Sequence, residues 1–110
     1  MKKFILIIFA ILAFYLNVFS ETNYSFEVKI YGQGSQNIIF IPGWGCSGDV
    51  WNETVKQLEG NNKCYVLTMK GFAGIEPESY PVIMNWVKSV ADYIKENEIT
   101  KPVIIGHSIG

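Results

Sequence analysis

Arginine is absent from this sequence, and its nine lysines are set against ten acidic residues, a net charge of −1. Nucleic acid is held first through its phosphates, which need clustered cations, so no nucleic-acid partner is expected. One histidine (His107) and two cysteines (Cys46 and Cys64) occur, each standing alone. No group of them has metal-ligand spacing, and no bound metal is expected. Gly32-Gln33-Gly34 lacks the third glycine and the following helix of a dinucleotide loop, and no other cofactor signature is present, so no cofactor is expected either. The longest apolar run, Phe4 to Leu16, is thirteen residues, or sixteen counted to Phe19, short of the ~20 that span a bilayer. Proline is sparse, and neither a repeat nor a low-complexity segment is visible.

What is present begins with a processing signal. Met1-Lys2-Lys3 gives a positive start, the apolar run follows, and Val18-Phe19-Ser20 closes it on a small residue. This is the pattern of a secretory signal, residues 1–20, with cleavage after Ser20. Export to the periplasm or outside is expected, with no stable membrane anchor once the signal is removed. The remainder, 21–110, carries seven lysines against ten acids, a mild net charge of −3.

From Tyr24 to Tyr31 apolar and polar residues alternate, with Tyr24, Phe26, Val28 and Ile30 on one face. The pattern predicts a half-buried strand at or near a sheet edge. Gly32 to Ser35 is a turn. Asn37 to Ile41 reads as a buried strand that breaks at Pro42-Gly43-Trp44-Gly45. A helix beginning near Ser47 to Asp49 is marked by short polar capping residues and by a stripe of Trp51, Val55 and Leu58. Gly60-Asn61-Asn62 ends it, and Cys64 to Met69 is a third strand. After the turn-rich Lys70-Gly71-Phe72-Ala73-Gly74, Pro81 suits the first turn of a helix that runs to about Asn97. Val82, Trp86, Val90 and Ile94 recur every four residues along it, with Ile83 and Val87 beside them. Lys101 to Ile105 is a last apolar strand. This order predicts an α/β protein, a mostly parallel sheet with helices on both faces.

That last strand runs into Gly106-His107-Ser108-Ile109-Gly110, a G-x-S-x-G sequence. A strand ending this way has the pattern of a nucleophile elbow, where a tight strand-to-helix turn strains the serine backbone and lifts its hydroxyl clear of the sheet. Gly106 and Gly110 are small because a Cβ at either place would strike neighbouring backbone. Attack by Ser108 on an acyl carbonyl needs two backbone N–H groups to hold the developing oxyanion. Ile109, after the serine, supplies one. The loop after Ile41 reaches the same carboxyl edge of the sheet; with Gly43 allowing a sharp turn there, Trp44 supplies the other. His107 lies inside the elbow and cannot turn to serve as the base.

From about Phe26 to Gly110 the sequence resembles the α/β-hydrolase family. The landmarks are Ile38-Ile39-Phe40-Ile41-Pro42-Gly43-Trp44, Trp51, Val66 to Gly74, and Gly106 to Gly110. The resemblance implies an enzyme that hydrolyses an ester, thioester or amide of a small-molecule acyl substrate through Ser108. Many members have His-Gly where this chain has Pro42-Gly43, which bears on loop geometry rather than on the nucleophile. The catalytic acid and histidine follow the serine in this fold, so the chain is expected to be the N-terminal part of a longer protein, truncated after the elbow and inactive by itself. A same-fold aminopeptidase and a non-catalytic binding protein are the alternatives. The segment around Phe72 is expected either at the pocket mouth or in a structural role. Trp51 and Trp86 are expected in the core, with Trp44 free to line the pocket.

The same topology separates the cysteines. Cys46 follows the second strand at one sheet edge and Cys64 begins the parallel third strand at the other. Five strand residues put them roughly 16 Å apart, beyond the about 7 Å that a disulfide allows. Two free thiols are expected, with Cys64 the more buried.

Overall fold

The computed structural model describes residues 24–78 and 83–110. The leader expected over 1–20 and the helix start expected at Pro81 lie outside the described residues. Four strands, β1 (Phe26–Tyr31), β2 (Gln36–Ile41), β3 (Asn62–Met69) and β4 (Val103–Gly106), form one sheet in the order β1-β3-β2-β4. β3 and β4 flank β2 in parallel, and β1 joins β3 antiparallel at the edge. The sheet is mostly parallel.

Side chains from alternate positions feed two cores, because successive residues of a strand point to opposite faces. On one face Phe26, Ile39, Tyr65, Leu67 and Met69 pack under Trp86 and Tyr93 of α2 (Ile83–Glu96). On the other, Ile38, Phe40, Cys64 and Val66 pack under Val55 of α1 (Asn52–Leu58), with Trp51 and Leu58 partly buried beside it. Helices therefore cover both faces. A 3-10 turn (Gly48–Trp51) precedes α1, and the Asp49 N–H donates to the Ser47 side chain at 2.9 Å, so Ser47 caps it. Phe26, Ile39, Phe40, Cys64 and Leu67 have 1% exposure or less. Among the described residues no helix is long and apolar enough to cross a membrane.

Although a four-residue turn joins them, β1 and β2 are not neighbours, because β3 lies between them. The connection must cross the start of β3 closely, and its glycines show how closely. A β-carbon on Gly34 would lie 1.8 Å from the Asn61 carbonyl oxygen, and one on Gly32 (φ 78°) 2.2 Å from that of Asn62. Ile30, expected on the buried face of β1, is instead 49% exposed and belongs to neither core. Both cysteines are free, Cys46 half-buried and Cys64 buried.

Candidate active site

The site is built where β2 and β4 end side by side. Their parallel register runs from Ile38↔Val103 to Ile41↔Gly106, so the loop after Ile41 and the turn after Gly106 leave the sheet together. The His107 N–H extends the ladder by donating to the Ile41 carbonyl at 3.3 Å, and the Gly110 N–H closes the turn on the His107 carbonyl at 3.0 Å. Ser108, between them, has φ 59°. Only a few per cent of residues other than glycine adopt this left-handed conformation, which is strained for a side chain with a β-carbon. The serine is exposed at the tip of the turn.

Two glycines make so tight a turn possible. A β-carbon on Gly106 would stand 2.4 Å from the Gly110 carbonyl carbon, and one on Gly110 would stand 2.6 Å from the Ile41 carbonyl oxygen. Gly43 answers to a different need. Its φ lies outside the left-handed region, which in this loop is occupied by Gly45 (φ 73°). The sharp turn expected at Gly43 is therefore carried by Gly45. Gly43 provides room, since a β-carbon there would meet His107 Nδ1 at 3.0 Å and Ser108 Cβ at 3.3 Å.

Trp44 and Ile109 stand on the loop and the turn that meet here. Among the described residues neither backbone N–H donates a hydrogen bond. The Trp44 side chain is 65% exposed, yet it packs at 5.3 Å on Phe72 and at 6.0 Å on Trp86, and those two rings pack edge-on to each other at 5.3 Å. Phe72 holds its place in a segment with three left-handed residues, Gly71, Ala73 and Gly74. It is at once core and cavity wall, uniting the two roles considered for it. Trp86 is buried, as a core residue should be. Its meeting with Trp44 across 42 positions left no mark in the sequence.

Beside the turn an apolar cavity of about 340 Å³ opens between α2 and β4, lined among others by Pro42, Phe72, Trp86, Val87, Ile104 and Ile109. It explains why Ile83 and Val87, which continue the apolar stripe of α2, are 49% and 56% exposed. Among the described residues no group of three His, Cys, Asp or Glu side chains is placed to hold a metal ion.

A mostly parallel sheet flanked by helices, with a strand that breaks into a left-handed serine turn, defines the class: the chain has the α/β-hydrolase fold. An α/β hydrolase from Novosphingobium aromaticivorans superposes with a TM-score of 0.66 over 81% of this chain and 38% of its own, at 16% identity. Among curated proteins the chain is 30% identical over 80 residues to a pimeloyl-[acyl-carrier protein] methyl ester esterase of Vibrio campbellii, covering 73% of this chain and 30% of the esterase. It is 25% identical over 88 residues to the karrikin insensitive 2 receptor CA of Petunia hybrida, covering 76% and 33%. The chain thus spans about a third of the length of these relatives. No family model matches it.

Proposed function

We propose that the protein is an exported ester hydrolase that uses Ser108 as its nucleophile. The observation that carries this reading is the left-handed Ser108, exposed at the end of β4, beside the Trp44 and Ile109 N–H groups, which have no acceptor among the described residues. In this reading Ser108 Oγ attacks the acyl carbonyl carbon, and the carbonyl π electrons move onto oxygen. The N–H groups of Trp44 and Ile109 hold that oxyanion. Collapse of the tetrahedral intermediate expels the alcohol and leaves an acyl-serine, which water then hydrolyses to the acid. The base that takes the Ser108 proton is not His107, whose ring lies against Gly43. In this fold the acid and the histidine base follow the serine in chain order. The similarity to a methyl ester esterase supports an ester over a thioester or amide.

A fluorophosphonate probe tests the assignment on the full-length protein. Labelling should occur at Ser108 and vanish in Ser108→Ala, with turnover down by several powers of ten. Labelling that survives the substitution refutes it. A second reading, a non-catalytic binding protein of the same fold, is favoured by the similarity to a receptor; absence of labelling in the wild type would select it. Export is part of the proposal and rests on residues 1–20. Mass spectrometry of the mature protein should find Glu21 at the N-terminus, and a cytoplasmic protein that keeps Met1 excludes it.

A further inference from the structure

Loop and turn approach each other through one glycine and one imidazole. Gly43 is buried, and a β-carbon on it would stand 3.0 Å from His107 Nδ1, 3.3 Å from Ser108 Cβ and 3.4 Å from the His107 carbonyl oxygen. That is tighter than ordinary van der Waals contact, so even a methyl group would have to displace either the ring or the loop. Among the described residues the imidazole makes no hydrogen bond or ion pair, and its Nδ1 bounds the space that a side chain on Gly43 would fill.

We propose that His107 is a positioning residue, whose ring bears on Gly43 and sets the gap between the Trp44 loop and Ser108. The inference rests on the reading of Ser108 as nucleophile and of the Trp44 N–H as oxyanion donor. Trp44 follows Gly43 directly, so a shift of Gly43 moves that N–H relative to the acyl oxygen. Oxyanion donors work only within a narrow range of distance from the developing charge, and a misplacement of about 1 Å costs on the order of a hundredfold in rate. The sequence hides this contact, because the two residues are 64 positions apart. Gly43→Ala and His107→Ala both change volume at one place, so their effects should be strongly non-additive.

The test is a double-mutant cycle on the full-length protein with p-nitrophenyl acetate. Gly43→Ala should lower kcat roughly ten- to a hundredfold with KM little changed, and adding His107→Ala should restore part of that loss, since the contacts with Ser108 Cβ and the His107 carbonyl oxygen remain. A double variant as slow as the product of the single effects overturns the proposal. Should Gly43→Ala fail to fold, the series His107→Phe, His107→Leu and His107→Ala decides. The packing role predicts that kcat falls as the side chain shrinks, while the pH profile keeps its shape even in His107→Phe. A pH profile altered by His107→Phe, or a kcat indifferent to side-chain size, overturns the proposal. Failure of the nucleophile reading has a separate signature, fluorophosphonate labelling that persists in Ser108→Ala.

Discussion

Phe72→Ala strikes the point where core and site share a side chain. The ring is 6% exposed, lies 5.3 Å from Trp44 and 5.3 Å from Trp86, and forms part of the cavity wall. Truncating a buried phenylalanine to alanine costs about 3–5 kcal/mol, the sum of lost transfer energy and the void left behind. The two edge-on ring pairs contribute about 0.5–1.5 kcal/mol each within that sum. The void here joins an existing cavity instead of being sealed, so the loss should fall near the lower end, about 3 kcal/mol. That is roughly a 150-fold shift in the unfolding equilibrium. Urea unfolding followed by tryptophan emission measures it, with the slope against denaturant unchanged if only stability is affected. Phe72→Leu, which keeps most of the volume, should cost about 1 kcal/mol. The native emission should also shift to the red in Phe72→Ala, because Trp86, 7% exposed in the intact protein, loses a cover. A loss below about 1 kcal/mol for Phe72→Ala would show that the aromatic cluster is a surface ornament and would refute its place in the core.

Two thiols should titrate in the unfolded, non-reduced protein, whereas in the folded protein Cys46 should react first. Cys64 is buried, and burial, with a smaller contribution from Glu59, pushes its thiol pKa up, so its modification should keep pace with unfolding; a protein with no titratable thiol contradicts the strand placement. Stability should fall in the alkaline range. The Tyr24 phenol pKa is raised, first by its hydrogen bond to Glu96 and then by burial, and that of Tyr93 is raised mainly by burial. Both groups hold their protons more tightly folded than unfolded, so their contribution is complete below the ordinary phenol value of about 10 and is lost as pH rises through the folded values. Tyrosinate absorbance in native and unfolded protein checks this; identical titration curves would refute it.

The elements that strong local patterns announced are those that formed: the alternating edge strand, the apolar strands around Ile39 and Leu67, the Ser47 cap and the serine turn. What stayed hidden were facts of placement. The turn at Gly32 to Ser35 signals a reversal of direction but not a partner, and β3, which inserts between β1 and β2, is some thirty residues further on. Ile30 reads as buried because alternation reports a face of the strand; whether a helix covers that stretch of face is decided elsewhere in the chain. Ile83 and Val87 fit the helical stripe correctly yet face the open cavity. The turn that carries Ser108 and Ile109 was legible because one pentapeptide encodes its geometry. The reason for Gly43 was not, since the residue that bounds its space lies on the turn after a strand distant in sequence.

The β2–β4 pairing also sets the order in which the site comes into being. β4 is four residues long and stands at the sheet edge among the described residues, and its register with β2 joins positions 65 apart, from Ile38↔Val103 onward. Closing a loop of that length is slow compared with docking β3 beside β2, whose partners are 26 positions apart. On that ground the β1-β3-β2 unit should form before β4 joins it and brings the serine turn to its loop. Hydrogen exchange pulsed during refolding should find the amides of β3 protected before those of β4 and His107.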